Sequence, residues 1–330
     1  MDVRFTAEQR ALRDSVAHVV DRLGPRAVGQ LDDEARADKL ESAVIASGWR
    51  ELRMAGDGRA PVASAVEVAI VAEELARGLA DAPFVGPILA TELRRLAAAD
   101  ADADLKETIA LRPKLAELTV PGETAVAIDT VGADTALVVA VDGTVSSVPI
   151  QGPRSEVDLT RPTRTVDTSL GQVIGQVGAD DITRCEALAL AITTADLVGT
   201  MQGAIDLTLE YAKERRQYGS PIGSFQAVAH LLADARVHLE GSRTALLHAA
   251  WAVDALDARD GLLATSSAKA YAARAAREVC EIAIQVHGGI GNTWECLAHV
   301  YLRRALLATD VLGGVGPNLT RVLAGVGIGG

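Results

Sequence analysis

Aromatic residues are scarce in this sequence and make up 3% of its 330 residues. Apolar residues nevertheless reach 49%, which is enough to form a folded core and argues against a disordered chain. Alanine is abundant in the second half, and alanine has the highest helix propensity while letting helices approach closely. The length suggests two or three structural units, largely built from closely packed helices.

An excess of positive charge is also lacking, since the formal net charge is −12. Nucleic acids and anionic membranes attract clustered cations, so neither is expected as a partner. The three cysteines are odd in number and widely spaced, which argues against a disulfide framework. The polar opening "MDVRFTAEQR" is not typical of a signal peptide, and no run of 18 apolar residues is free of charges. We therefore expect a cytoplasmic protein without a membrane span.

The first half of the chain shows two different periodicities. Residues 1–109 follow helical patterns, one of which opens with Thr6 and Gln9 in the spacing of a capping box. A later helix over "ASAVEVAIVAEELARGLA" is predicted to stop at Pro83. Residues 110–176 contain short β-branched runs between Gly, Asp and Pro, and strands are predicted over "ETAVAIDT", "DTALVVAVDG" and "TVSSVPI".

The last section, residues 177–330, contains four long segments with an apolar stripe. Helices are predicted over about 181–213, 225–257, 262–286 and 293–312. Segments of this length and spacing predict an antiparallel four-helix bundle. The predicted fold class is therefore mainly α with a small β section (α+β), in three domains.

The stretch "ERRQYGSPIGSFQ" connects the first two bundle helices and has two interpretations. Arg215 and Arg216 end a helix, where cations suit the negative end of the helix dipole, so capping and solubility would explain them. Alternatively, Arg215 and Tyr218 share a face, and Gln226 begins the next helix close enough to join Arg215 on one ligand. Arginine binds phosphate oxygens through two parallel hydrogen bonds, which favours an anionic ligand.

The stretch "QVHGGIGNTWE" follows the third bundle helix and also has two interpretations. Two glycines at a helix end are typical of a C-cap, and Asn292 with Glu295 has the spacing of a capping box for the next helix. Alternatively, the missing side chains of Gly288 and Gly289 let a ligand lie against the backbone, with Gln285 hydrogen-bonded to it. No strand precedes these glycines, so a Rossmann site is not supported.

Two other groups of polar residues have a spacing that suggests a metal site or an ion pair. Cys280, His287, Cys296 and His299 include the short spacing "CLAH", but a zinc site usually needs a second such pair, so no metal is predicted. Asp158 and Arg161 in "SEVDLTRP" are predicted to form a structural pair between the β section and the bundle.

"RRQYGSPIGSFQ" followed by "QVHGGIG" resembles the C-terminal bundle of the acyl-CoA dehydrogenase family, and "FTAEQRALRDSV" and "LVGTMQGAIDLTLEYAKERRQYG" extend the resemblance over nearly the whole chain. The resemblance implies a tetrameric flavoenzyme with an N-terminal helical domain, a central β domain and a C-terminal four-helix bundle. It also implies removal of an α-proton and a β-hydride from an acyl-CoA, with an electron-transfer flavoprotein as acceptor. Six residues are implied to contact the FAD of a neighbouring subunit: Arg215, Tyr218, Gln226, Gln285, Gly288 and Gly289.

The chain departs from the family where the catalytic base is implied. That base is a carboxylate at one of two positions, which here fall on Ala189 and Leu312, and neither side chain accepts a proton. Glu186 lies one turn from the first position. The loop and strand that hold the flavin ring in the family have no counterpart between Pro83 and Leu170, so the β domain is predicted to be reduced.

The pattern is similar to the short, non-catalytic subunits of heteromeric acyl-CoA dehydrogenases in bacterial steroid side-chain degradation. This resemblance implies an α2β2 tetramer in which a longer partner supplies the base and the FAD is shared at the interface. Two alternatives remain: a self-sufficient homotetramer with Glu186 or Glu295 as base, and a non-enzymatic scaffold or acyl-CoA-binding protein of the same fold.

Overall fold

The computed structural model describes residues 4–99 and 106–327. The first section of these residues forms four α-helices: α1 (Ala7–Leu23), α2 (Glu34–Ala46), α3 (Ala65–Arg77) and α4 (Val85–Leu96). Short 3₁₀ turns are interspersed along the chain at Val28–Asp32, Trp49–Glu51, Asp57–Arg59, Pro113–Leu115, Thr168–Leu170, Ile222–Ser224 and Gly288–Asn292.

Local side-chain contacts fix the start of the first helix, and close packing fixes the end of the third. The Gln9 N–H donates to Thr6 Oγ1 at 3.2 Å and the Thr6 N–H donates to Gln9 Oε1 at 3.0 Å, which confirms the capping box. The prediction that α3 continues to Pro83 is wrong, because the helix ends at Gly78. A Cβ at Gly78 would lie 1.9 Å from Val20 Cγ1, so the close approach of α1 requires glycine there.

The β section forms an eight-stranded mixed sheet. Its strands are β1 (Glu107–Leu111), β2 (Thr119–Val120), β3 (Thr124–Ala127), β4 (Thr135–Ala140), β5 (Thr144–Pro149), β6 (Arg154–Ser155), β7 (Thr163–Asp167) and β8 (Gln172–Gln176). The order is β6-β7-β3-β1-β4-β5-β8, with β2 also on β4, and β4 runs parallel to β1 and β2. The sequence predicted β3, β4 and β5, and β1 crosses the boundary predicted at residue 110.

Alternating side chains give this sheet two apolar faces. In β4, Leu137 and Val139 belong to the large core shared with the helices, whereas Ala136 and Val138 belong to a second, small cluster. Successive residues of a strand point to opposite faces, so this alternation places the main core on one side of the sheet. The sheet is thereby anchored to the helical part of the chain.

The C-terminal section contains five α-helices: α5 (Ala179–Glu214), α6 (Gln226–Ala255), α7 (Ala258–His287), α8 (Ala298–Asp310) and α9 (Val315–Gly325). The first three confirm the predicted helices within four residues at each end. The fourth begins five residues later than predicted, because a 3₁₀ turn occupies Gly288–Asn292 and the expected Asn292–Glu295 capping box does not form. The short helix α9 was not predicted.

Helix α5 is the central element of the bundle. It is 36 residues long, about 54 Å at 1.5 Å per residue, and is apolar on most faces. Length and composition alone would allow it to cross a membrane, but 94% of its most apolar window is buried within the fold. Such burial is typical of the core helix of a globular protein.

A buried charge cluster, defined by Asp129, Arg161, Asp196 and Arg304, joins the β section to the bundle. Arg161 Nε donates to Asp129 Oδ1 at 2.5 Å, and its Nη1 lies 3.3 Å from Asp196 Oδ2. Arg304 Nη2 donates to Asp196 Oδ1 at 2.6 Å. The predicted Asp158–Arg161 pair is wrong: Asp158 Oδ1 instead accepts the Thr160 N–H, and the bridge to the bundle runs through Asp196.

Candidate functional site

Three helix ends meet at one end of the bundle. Helix α5 ends at Glu214, α6 begins at Gln226 and α7 ends at His287. The ring of Tyr211, in the last turn of α5, stacks on the ring of His287 with centroids 4.4 Å apart. The fold therefore brings the two sequence stretches that carry the six candidate residues to the same end of the molecule.

A β-hairpin connects α5 to α6 at this end. Its strands are β9 (Arg216–Gln217) and β10 (Ser220–Pro221), and Arg215 O accepts the Ile222 N–H at 2.8 Å across its base. The two turn residues, Tyr218 and Gly219, both have positive φ, at +49° and +82°. This is the type I′ geometry that two-residue hairpins favour.

Tyr218 lies at the tip of the hairpin with an unfavourable backbone conformation and an exposed ring. Its ring is 96% exposed and its backbone is in the left-handed region, which disfavours a bulky L-residue. Its ring makes an edge-to-face contact with Phe225 at 6.3 Å between centroids. Strained backbone and an exposed aromatic ring are typical of a contact surface rather than of a solvated turn.

Arg215 is exposed, and its side chain makes no hydrogen bond or ion pair with any other described residue. Its backbone N–H donates to Tyr211 O at 2.8 Å, so the C-cap of α5 is made by the main chain and not by the guanidinium. Helix α6 begins beside it without a side-chain cap at Phe225. An unpaired guanidinium near an uncapped helix N-terminus favours an anion, which supports the second interpretation of this stretch.

The glycine turn after α7 combines a C-cap with an open backbone. Gly288 has φ +64° and ψ −140°, a conformation that requires glycine, and its N–H donates to Gln285 O and Ile284 O. The C-cap interpretation is therefore confirmed for Gly288. Both glycines are exposed, and a Cβ added at Gly289 would meet nothing within 4 Å, so packing within the chain does not explain its missing side chain.

Gln285 is exposed at one end of a groove between α6 and α7. The groove has a volume of about 600 Å³, with Leu231, Val237 and Ile282 among its lining and carboxylates of both helices at its edges. Gln226, the first residue of α6, is also exposed. All six candidate residues thus face outward at or beside the same end of the bundle.

The two positions at which a catalytic base was implied lie in the packed interior. Ala189 and Leu312 are both 0% exposed. Leu312 has φ +60°, and its N–H donates to Leu115 O at 2.6 Å, so the β1–β2 loop closes directly over it. The side-chain amide of Asn318 donates to Gly313 O and Gly314 O at 2.7 and 2.9 Å and fixes the turn before α9.

Glu186 is held by an arginine of the unpredicted helix α9. Arg321 Nη2 donates to Glu186 Oε1 at 2.6 Å, while Arg321 Nη1 donates to Leu312 O at 3.1 Å. Burial raises the pKa of Glu186, and the charge of Arg321 opposes that shift. Glu295, the other base considered, is exposed in the turn before α8.

The four residues considered for a metal have other contacts in the structure. His287 Nδ1 lies 2.8 Å from Ala283 O, and His299 packs edge-on against Trp294 at 5.1 Å. Cys280 and Cys296 are buried thiols. Within residues 4–99 and 106–327, no group of three His, Cys, Asp or Glu side chains is placed to hold a metal ion.

Lys269 is a buried residue that sequence reasoning missed. It is 0% exposed, and its Nζ donates to Ala308 O in the last turn of α8. Burial lowers its pKa to about 7, and the charge of Asp196 opposes that shift. Ala272 and Ala273, three and four residues further on, gave the available signal, because they share a helix face with Lys269 and their small side chains allow close packing there.

Comparison with known proteins identifies relatives of this chain. Residues 186–317 match the family model described as acyl-CoA dehydrogenase, C-terminal domain. The chain is 34% identical over 240 residues to acyl-CoA dehydrogenase IpdE2 of Mycobacterium tuberculosis, covering 72% of this chain and 71% of IpdE2. It is 39% identical over 173 residues to acyl-CoA dehydrogenase FadE34 of the same organism, covering 52% of this chain but 24% of FadE34.

Solved structures share the fold over nearly the full length of the chain. The ChsE4–ChsE5 complex from Mycobacterium tuberculosis contains a chain that superposes with a TM-score of 0.80 at 22% identity, with complete coverage of both chains. A variant described as the Tcur3481–Tcur3483 steroid ACAD superposes with a TM-score of 0.80 at 20% identity, covering 97% of this chain and 98% of that one. The predicted fold class, mainly α with a small β section and of the acyl-CoA dehydrogenase type, is therefore confirmed.

Proposed function

This chain belongs to the acyl-CoA dehydrogenase family, and on that premise we propose that it is the non-catalytic subunit of a heteromeric, FAD-dependent acyl-CoA dehydrogenase. The observation that carries the proposal is a contrast between two places: the six residues implied to contact a neighbour's FAD are exposed, whereas both base positions are buried and apolar. A subunit of this kind completes the flavin site of a longer partner, in a cytoplasmic α2β2 assembly.

The residues at the end of the bundle fit a dinucleotide. The unpaired guanidinium of Arg215 would bind the diphosphate through two parallel hydrogen bonds, next to the uncapped start of α6. Tyr218 would pack beside it, while Gln226 and Gln285 would hydrogen-bond the adenosine side. The open backbone at Gly288 and Gly289 lets the ligand approach without a steric clash.

The chemistry would then be divided between the two subunits. The FAD that Arg215, Gln226 and Gln285 would hold would supply the hydride acceptor for the β-carbon of the acyl-CoA. The partner's carboxylate would take the α-proton, because Ala189 and Leu312 of this chain cannot. The electrons would pass to an electron-transfer flavoprotein. Two solved structures of the same fold support the assembly, since one is the ChsE4–ChsE5 complex and the other a steroid ACAD of Tcur3481 and Tcur3483. A steroid side-chain CoA thioester is the substrate class that we propose.

Arg215→Ala tests the role of this chain in flavin binding. The protein is produced alone and together with a longer homologue that has glutamate at the position of Ala189, and bound FAD is measured by absorbance. Loss of a charged hydrogen-bonding pair costs about 1.5–3 kcal/mol, so we expect FAD to bind about 10- to 100-fold more weakly in the complex. Arg216→Ala is the matched control, because Arg216 donates within the hairpin to Gly219 O at 3.5 Å.

Two outcomes would contradict the proposal. If the chain produced alone is yellow and oxidises an acyl-CoA, it is a self-sufficient enzyme. If Arg215→Ala and Arg216→Ala retain FAD equally well in the complex, the exposed end of the bundle does not hold the cofactor, and a scaffold or acyl-CoA-binding role gains support.

Glu186 carries the second candidate function, a homotetrameric enzyme with its own base. Its buried carboxyl has a raised pKa, which suits a general base, although Arg321 occupies one oxygen. Glu186→Gln removes the proton acceptor and keeps the shape. Unchanged acyl-CoA oxidation by this variant, in every assembly, excludes the candidate.

A further inference from the structure

The two segments of the candidate site belong to different helices, and one aromatic contact joins them. Tyr211 lies one turn before the end of α5, and His287 is the last residue of α7. Their rings stack with centroids 4.4 Å apart and an angle of 22° between planes. Arg215 follows Tyr211 by one helical turn, and Gly288 directly follows His287.

His287 is held in a fixed orientation. Its side chain is 6% exposed, and Nδ1 lies 2.8 Å from Ala283 O, so Nδ1 carries the hydrogen and donates it. Burial lowers the pKa of His287, which favours the neutral form of the ring. Since Gly288 leaves the helix with a backbone conformation available only to glycine, the position of His287 sets the direction of the glycine turn.

Tyr211 is linked to the hairpin in a similar way. Its carbonyl oxygen accepts the Arg215 N–H at 2.8 Å, and Arg215 O accepts the Ile222 N–H at 2.8 Å. The turn that contains Tyr211 therefore carries the base of the hairpin. A shift between the two rings would change the distance between Arg215 and the Gly288–Gly289 turn.

We infer that the Tyr211–His287 stack is a positioning pair that sets the spacing between the guanidinium of Arg215 and the glycine turn. This inference rests on the proposed function, because its purpose is to match that spacing to the length of the dinucleotide. A contact that fixes both segments before binding reduces the conformational entropy lost when the ligand binds. The pair does not touch the reacting atoms.

The test measures FAD binding to the complex of this chain with its longer partner, by quenching of flavin fluorescence. Tyr211→Leu fills the position with an apolar side chain but removes the ring stack. We expect the dissociation constant for FAD to rise about tenfold. Tyr211→Phe keeps the ring and is expected to bind FAD as the unchanged protein does. Tyr271→Leu is the control, because Tyr271 packs at Gly241, on the contact between α6 and α7.

A double substitution separates positioning from general stability. If the two rings act through each other, Tyr211→Leu combined with His287→Gln weakens FAD binding no more than either change alone. His287→Gln also serves if Tyr211→Leu does not assemble, since it keeps a donor for Ala283 O without an aromatic ring. Unfolding temperatures are recorded for every variant.

The outcomes distinguish this inference from the proposal beneath it. FAD binding that is weakened by Arg215→Ala but unchanged by Tyr211→Leu and His287→Gln would overturn the positioning role alone. FAD binding unchanged by Arg215→Ala would remove the proposed function first. Equal losses in Tyr211→Leu and Tyr211→Phe would also overturn the stacking argument, because phenylalanine preserves the ring.

Discussion

At the end of the bundle, Arg215 and Tyr218 extend into solvent, whereas in its middle Asp196 and Arg304 are 1% and 3% exposed and hydrogen-bonded to each other. Both places contain charged or polar side chains: Asp196 lies on α5 and Arg304 on α8, while Arg215 directly follows α5. In the middle, charges are neutralised within the chain and hold its sections together. At the end, the guanidinium of Arg215 forms no hydrogen bond or ion pair within residues 4–99 and 106–327, and the proposed contact with another molecule rests on this difference.

The largest expected loss of stability comes from removing the shared carboxylate of the buried charge cluster. Asp196→Ala leaves Arg304 and Arg161 buried without their common carboxylate, and such a loss lowers the free energy of unfolding by about 3–5 kcal/mol. Chemical denaturation measures this change. Glu210→Ala, which breaks an exposed pair with Lys213, is the control and is expected to cost about 0–1 kcal/mol. Similar losses in both variants would show that the buried cluster is not special.

Gly288 and Gly289 are adjacent, and alanine at each position tests a different property. At Gly288 it tests the backbone conformation, and at Gly289 it tests the room for a ligand. Gly288→Ala forces alanine into a conformation that only glycine adopts, at a cost of about 1–3 kcal/mol in unfolding free energy. Gly289→Ala adds a methyl group in open space, so stability is expected to change by less than about 0.5 kcal/mol. In the complex, however, that methyl group should weaken FAD binding. A Gly289→Ala complex with unchanged affinity would show that nothing lies against this turn.

Lys269, buried in the middle of the bundle, makes the unfolding free energy of the chain depend on pH. Its pKa in the folded chain is about 7, below the ordinary value of 10.5, so the unfolded chain binds more protons between these values. Unfolding free energy should therefore rise with pH from about 7 to 10.5, by at most about 1.4 kcal/mol per unit. Lys269→Met removes this dependence. Parallel stability–pH curves for the two proteins would show that Lys269 is not buried.

The smallest expected effect concerns Tyr218 at the exposed end. Asparagine tolerates the left-handed region better than tyrosine, so Tyr218→Asn is expected to raise the unfolding free energy of the isolated chain by about 0.5–1 kcal/mol. The same change should weaken assembly with the partner, measured by analytical ultracentrifugation. Tyr218→Phe is the control for the ring itself. If Tyr218→Asn assembles with the partner as well as the unchanged protein does, the ring of Tyr218 does not contribute to the interface.

Long, regularly patterned segments were predictable from the sequence, and short or non-local features were not. Helices α5, α6 and α7 each carry an apolar stripe over about thirty residues or more, which leaves little ambiguity. Helix α9 begins with "VGP" and ends at glycine, so its eleven residues resemble a turn. Strands β1, β7 and β8 are five residues long and gain their stability from neighbours distant in sequence.

The candidate site was predictable in its location but not in its polar partners. The motif residues place Arg215 and Gly288 at helix ends, and the structure puts those ends together. By contrast, the partners of Arg161 lie 32 and 35 positions away in the sequence, at Asp129 and Asp196. The partner of Glu186 is Arg321, which lies 135 positions away. No local pattern encodes such pairings, because they depend on how three sections of the chain pack.

The turn at Leu312 limits what a single substitution at that position can add to the chain. Its left-handed main chain is tied by Leu115 O on one side and by the carbonyls that Asn318 and Arg321 hold on the other. A glutamate introduced at residue 312 would place a carboxylate where the leucine side chain is fully buried. An acid at that position could reach solvent only if the β1–β2 loop and helix α9 both moved, so under the proposed function the need for a partner's base follows from the backbone as well as from one side chain.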